Sequence, residues 1–186
     1  MISSNHKSTE TLAKKVQFAV IGGGVIGGGW VARFLLMGSD VKIFDPDPEA
    51  PRKIDEVLSN ARRSLPALYE HALPPEGSLS FVNSISEAVD GSDWVSECVP
   101  EQLKLKHSVM AEIQSHCPKS AIITSSTSGF KPSELQQGSD NPEQIIVAHP
   151  FNPVYLLPLV ELVGNITTVD RAKAMLSSLG MFPLHV

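Results

Sequence analysis

Six glycines fall between positions 22 and 29, and their arrangement limits the fold of this chain more than any other stretch. Gly22-Gly23-Gly24-Val25-Ile26-Gly27 fits the pattern G-x-G-x-x-G. Gln17-Phe18-Ala19-Val20-Ile21 precedes it and reads as a buried strand, while Val25 to Met37 follows and reads as a helix stopped by Gly38. In that context each glycine has a task. Gly22 permits the tight turn, Gly24 lets a pyrophosphate approach the backbone, and Gly27 lets helix and strand pack closely. The free N–H groups of Val25, Ile26 and Gly27 and the positive end of the helix dipole would then meet the phosphate charge. Asp45 stands eighteen residues after Gly27, at the end of the next strand, where an acidic side chain accepts hydrogen bonds from the adenine ribose. A carboxylate there repels a 2′-phosphate, so NAD is expected over NADP. The alternative is a glycine-rich turn with an Asp that caps the helix beginning near Pro48. Gly28 and Gly29 lie inside the helix at about 1 kcal/mol each relative to alanine, which predicts that something packs very close to it.

An uncharged stretch from Val16 to Ala32 is nearly long enough to span a bilayer, and Lys14-Lys15 before it imitate the start of a signal peptide. The glycines rule against both readings, because the apolar run before them has only the length of a strand. Hydrophobic residues make up 42% and charged residues 19% of the 186, a composition that folds. The net charge of −5, with lysines and arginines scattered, leaves no basic field for a nucleic-acid backbone. Cys98 and Cys117 form no CxxC pair and stand near no histidine cluster. Neither a disulfide framework nor a metal site is expected, and the thiols read as inert groups in a reducing cytoplasm.

Met1 to Lys15 reads as a loose tail. Beyond it, the periodicity predicts strands at Val41–Phe44, Leu79–Val82, Trp94–Val99, Ala121–Thr124, Gln144–Ala148, Leu159–Val163 and Phe182–Val186. Helices are expected from about Pro48 to a bend near Pro66, over Ser84–Val89, over Gln102–His116, and from Thr168 or Asp170 to Leu179. Nearly continuous apolar strands alternating with helices predict an α/β domain with a doubly wound, mostly parallel sheet over residues 16–186.

His149 follows one of these strands, and Glu161 lies twelve residues on, between apolar residues of another. A carboxylate in such a strand is costly unless partnered. An imidazole is a good partner and would gain orientation, a fixed tautomer and basicity, the needs of a general base in alcohol oxidation. Equally, His149 could be a satisfied core histidine and Glu161 a solvated side chain on an edge strand. Glu101 and Lys106 read as solvated charges at a helix start, and Ser125 to Ser128 as a polar loop. The remaining histidines, His6, His71, His107, His116 and His185, read as surface or packing residues.

Taken together, the glycine loop, Glu97-Cys98-Val99-Pro100-Glu101 with Lys106, Ser126-Thr127-Ser128, and His149-Pro150-Phe151-Asn152-Pro153 with Glu161 resemble the L-3-hydroxyacyl-CoA dehydrogenase family. The resemblance runs from Val16 to Val186 and implies a Rossmann-type NAD-binding domain. It implies that His149 removes the hydroxyl proton with Glu161 as its partner, and that Ser128 and Asn152 hydrogen-bond the reacting oxygen. It further implies that Glu101 and Lys106 contact NAD near its nicotinamide half. Within the family, the segment from His149 to Glu161 is more similar to members that oxidise L-carnitine than to those acting on fatty acyl-CoA, which carry an aromatic where Pro150 stands. A small-molecule substrate is thus expected, with L-carnitine first and a 3-hydroxyacyl-CoA second. Phe151 and Tyr155 are candidate aromatic faces for a quaternary ammonium. A non-catalytic NAD-binding or structural module is the alternative of another class. The family's chains continue into a helical domain that completes the substrate cleft and carries most of a homodimer contact. This chain is accordingly expected to lack that domain, to be poorly active alone and to expose apolar surface.

Overall fold

The structure, a computed structural model, describes residues 16–186; the tail expected at Met1–Lys15, with His6, lies outside the described residues. Eight strands form one sheet in the order β3-β2-β1-β4-β5-β6-β7-β8. They are β1 (Gln17–Ile21), β2 (Asp40–Phe44), β3 (Leu79–Phe81), β4 (Trp94–Glu97), β5 (Ile122–Ser125), β6 (Ile145–Pro150), β7 (Leu159–Val163) and β8 (Phe182–His185). Neighbours run parallel throughout except β6 and β7. The chain winds outward from β1 to β3, returns to β4, and winds the other way to β6. The gap between the carboxyl ends of β1 and β4 is therefore the topological switch point, where ligands bind in open α/β sheets.

The helices are α1 (Val25–Leu36), α2 (Ala50–Ser64), α3 (Ile85–Val89), α4 (Leu103–His116), α5 (Pro132–Leu135) and α6 (Ile166–Ser178). Alternate strand residues feed two cores. Phe18, Val20, Val41, Ile43 and Trp94 meet α1, α2 and α6 on one face, while Ala19, Ile21, Val95 and Ile123 meet α3 and α4 on the other. On α2 the three- and four-residue spacing buries Ile54, Leu58 and Ala61, and each such aliphatic side chain larger than alanine contributes roughly 1.5–3 kcal/mol.

Two local expectations need correction, and two short elements were not expected. Helix α6 begins at Ile166, earlier than expected, because the Asn165 side chain caps it by accepting the Thr168 N–H at 3.0 Å. His149 lies inside β6, which extends to Pro150, so it is itself a strand residue. The short α5 and a 3-10 turn at Pro142–Gln144 fall in segments too brief for a periodic signal. Phe182, Leu184 and Val186 are exposed along and beyond β8, an edge strand. Among the described residues, no helix is long and apolar enough to cross a membrane.

Candidate active site

The glycine loop leaves β1 at the switch point and its geometry explains its composition. Gly22 has φ +98°, and a Cβ on it would lie 2.7 Å from the Cys98 carbonyl oxygen. A Cβ on Gly27 would lie 1.8 Å from the Gly22 carbonyl, so the loop closes on the helix only with glycine there. Gly24 differs, since no protein atom lies within 4 Å of its absent Cβ. That space fronts the N-terminus of α1, where Gly24 is the N-cap and no side chain caps the helix. Uncapped N–H groups facing open room fit a pyrophosphate. Asp45 follows β2 and closes the loop from the side. Its Oδ2 accepts the Gly23 N–H at 2.5 Å and its Oδ1 the Asp47 N–H at 2.7 Å. The N-cap of α2 is Glu49, so the reading of Asp45 as a helix cap fails. Each oxygen keeps a lone pair for a ribose hydroxyl.

Three cavities connect this loop to His149. The first, about 580 Å³, is lined by Gly22, Gly24, Asp45, Cys98 and Val99. Cys98 and Val99 also line a second, of about 190 Å³, with Ile26, Glu101, Lys106 and Ser128. Ser128 in turn lines a third, of about 320 Å³, with Thr127, His149 and Glu161. The shared walls make one track along the carboxyl ends of β2, β1, β4, β5 and β6, suited to an extended dinucleotide.

Lys106 is not the solvated charge that its sequence position indicates, whereas Glu101 stays exposed but is held by the Thr127 hydroxyl and the Lys106 ammonium. Lys106 is 1% exposed, and its Nζ contacts Glu97 Oε1 at 2.8 Å, Glu97 Oε2 at 3.1 Å, the Val99 carbonyl at 3.2 Å and Glu101 Oε2 at 3.3 Å. Glu97, fully buried in β4, also accepts from the Ser125 hydroxyl at 2.6 Å and the Val99 N–H at 2.8 Å. Burial tends to raise the Glu101 carboxyl, but the Thr127 hydroxyl, the Lys106 ammonium and the Gly129 N–H outweigh it and hold the group below its ordinary value. Glu97 stands in the motif Glu97-Cys98-Val99-Pro100-Glu101, which by itself assigns it no role. The signal was there: a carboxylate in an apolar strand calls for a partner, as Glu161 did.

Antiparallel pairing sets His149 directly opposite Glu161. His149 Nδ1 lies 2.9 Å from Glu161 Oε2, with both side chains about one-third exposed. A carboxylate oxygen accepts here, so Nδ1 is the donor of this bond, and in the neutral ring that tautomer leaves the lone pair on Nε2. Such a ring can receive a proton from a substrate hydroxyl. With β8 beyond it, β7 is not an edge strand, and the solvated-glutamate alternative does not hold. Ser128 is exposed at the junction of the second and third cavities. Asn152, three residues after His149, is exposed and lines none of the three cavities. The Phe151 ring centroid is 6.0 Å from that of His149 and the side chain is exposed, whereas Tyr155 packs against the core.

Comparison with known proteins gives the same outline. Residues 17–186 match the family described as 3-hydroxyacyl-CoA dehydrogenase, NAD binding domain. The chain is 62% identical over 172 residues to an L-carnitine dehydrogenase/betainyl-CoA thioesterase of Ruegeria pomeroyi, covering 90% of this chain and 35% of that protein. It is 54% identical over 173 residues to an L-carnitine dehydrogenase of Mesorhizobium japonicum, covering 90% and 48%. Among solved structures it resembles FHMPC 5-dehydrogenase, an NAD+-dependent dismutase, with a TM-score of 0.85, 32% identity, and coverage of 92% and 57%. The chain thus spans a third to a half of the length of these curated relatives.

Proposed function

The chain belongs to the 3-hydroxyacyl-CoA dehydrogenase family through its NAD-binding domain, and on that premise we propose that the protein oxidises the 3-hydroxyl of L-carnitine to 3-dehydrocarnitine with NAD as hydride acceptor. The observation that carries the reading is the His149–Glu161 pair at 2.9 Å, at the far end of the track that begins at the glycine loop. His149 Nε2 takes the hydroxyl proton, and Glu161 holds the ring by its Nδ1–H and stabilises the imidazolium that forms. Ser128 and Asn152 donate to the oxygen as its charge develops. Lys106 and Glu101 flank the nicotinamide half of the track, and Asp45 with Gly22, Gly24, Val25, Ile26 and Gly27 holds the adenine ribose and pyrophosphate.

L-carnitine is favoured over a 3-hydroxyacyl-CoA because the named relatives at 62% and 54% identity are L-carnitine dehydrogenases. The exposed Phe151 ring beside His149 supports the choice, since an aromatic face attracts a quaternary ammonium by about 0.5–2 kcal/mol. Tyr155, drawn into the core, is set aside. The same reading gives a cytoplasmic homodimer; sedimentation of the full-length protein tests the second point. For the substrate, the full-length protein that carries this chain is supplied with NAD and either L-carnitine or 3-hydroxybutyryl-CoA while NADH is followed. NADH with carnitine alone is expected; NADH with the acyl-CoA alone moves the assignment to the 3-hydroxyacyl-CoA branch.

A further inference from the structure

Helix α1 is apolar or glycine along its whole length except at Arg33. That side chain is 1% exposed. Its Nε donates to the Leu179 carbonyl at 3.0 Å, its Nη1 to the Tyr155 carbonyl at 3.3 Å, and its Nη2 to the Gly180 carbonyl at 2.5 Å and the Tyr69 hydroxyl at 2.7 Å. The guanidinium carbon stands 5.9 Å from the Tyr69 ring centroid. No carboxylate of the described residues lies within ion-pair distance. Burial lowers its pKa against the favourable influence of Tyr69, yet a guanidinium stays charged at neutral pH. A buried cation held by neutral acceptors is a costly device for stability alone, where an apolar side chain would pack at less expense.

What the guanidinium joins gives it a purpose. Leu179 and Gly180 lead into β8, and Tyr155 belongs to the segment between β6 and β7 that carries Phe151 and Asn152 just beyond His149. The same helix meets that segment again at Gly29, whose absent Cβ would lie 2.9 Å from the Val154 Cβ. It meets the Ser126–Ser128 loop as well, where the Trp30 indole donates to the Ser126 hydroxyl at 3.0 Å. One helix thus presents its N-terminus to the cofactor track and braces both loops on the substrate side. Separated acceptors around one planar group suit the five N–H donors of arginine and not the single ammonium of lysine.

We infer that Arg33 is a positioning residue of the reaction, clamping the segment from Phe151 to Pro158 onto the cofactor-binding helix through the Tyr155 carbonyl. The functional part of this inference rests on the reading of His149 as the base; the clamp itself does not.

Amide hydrogen exchange on the chain tests the clamp. The Leu156 and Leu157 amides donate to the Pro153 carbonyl at 2.9 Å, and the Cys98 amide donates to the Ile21 carbonyl at 2.8 Å. In Arg33→Met the first two are expected to exchange about tenfold faster or more, while Cys98 changes less than about twofold. Equal acceleration at all three overturns the proposal, because Arg33 would then serve global stability only. Should Arg33→Met fail to fold, Arg33→Lys replaces it. Acceleration at Leu156 and Leu157 supports the fork, and wild-type exchange there overturns it. In the full-length protein, kcat/KM for carnitine is expected to fall about tenfold or more in the arginine variant with KM for NAD little changed. Tyr69→Phe removes one guanidinium contact but not the one to Tyr155, and should leave both constants within about twofold while lowering the Tm. Equal loss of activity in the two variants contradicts a positioning role. A wild-type protein inactive on carnitine removes the substrate assignment and leaves the exchange result standing.

Discussion

Glu101 and Cys98 are the site residues whose charge states the structure perturbs. Glu101 is held below its ordinary value of 4.5, so in the folded state it releases its proton more readily than in the unfolded chain. A carboxyl shifted downward stabilises the fold above the unfolded-state pKa and loses that contribution as pH falls through the folded-state value. Thr127→Val should raise the Glu101 pKa in a carboxyl NMR titration and reduce stability near neutral pH; an unchanged titration would show that the Thr127 hydroxyl does not hold the charge. Burial pushes the Cys98 thiol from 9.0 up to about 12, against the Ser126 hydroxyl that favours its thiolate. Its contribution is full below 9.0 and is lost as pH rises toward about 12. Thermal melts of Cys98→Ala and wild type should therefore converge with rising alkalinity, and a constant difference between them would contradict the assignment. The sequence already favoured an inert thiol here. It could not place Lys106 in the interior, because two of that lysine's contacts come from Glu97 at the end of β4 and the others from Val99 and Glu101 in the loop after it, and no spacing rule reports a helix folding over a strand end.

At the scale of elements, α1 is where sequence and structure agree most and where they part. Its start, its Gly38 stop and its loop were legible from period and punctuation, since those signals are local. The prediction of a close approach at Gly28 and Gly29 holds for only one of them. A Cβ on Gly29 would meet Val154 at 2.9 Å, whereas a Cβ on Gly28 would meet Val57 at 3.5 Å, an ordinary contact. Gly29→Ala is expected to destabilise the protein by about 1–3 kcal/mol through overpacking. Gly28→Ala should be neutral or should stabilise it by up to about 1 kcal/mol through helix propensity. Urea denaturation of the two variants decides the matter, and equal effects would mean that Val154 yields. The β6–β7 pair tells a similar story. Sequence left the pairing of Glu161 and His149, twelve residues apart, as one of two readings, and the antiparallel register sets them opposite each other as a hydrogen-bonded pair. Arg33 was the lone charge in an apolar helix, a signal of the same kind as Glu161, but its partners lie in three distant segments.

On the scale of the whole molecule, the sheet order turns a linear set of motifs into a path. The glycine loop, Asp45, Cys98-Val99, Ser128 and His149 all end at the same edge because β2, β1, β4, β5 and β6 are parallel. That layout was readable as a fold class from strands alternating with helices, while the antiparallel turn at β7 that completes the site was not. Asp45→Ser should lower NAD affinity and narrow its advantage over NADP, measured by calorimetry on the chain, since the carboxylate that repels a 2′-phosphate would be gone. Unchanged preference would place cofactor discrimination elsewhere. On the proposed reading this path ends on His149 as a base acting on carnitine. That reading is tested most directly by NADH formation from L-carnitine in the full-length protein with His149→Gln, alongside calorimetry of NAD binding. A fall in turnover of about 10²–10⁴ with NAD affinity unchanged is the predicted result; carnitine-dependent NADH at near the wild-type rate would contradict it.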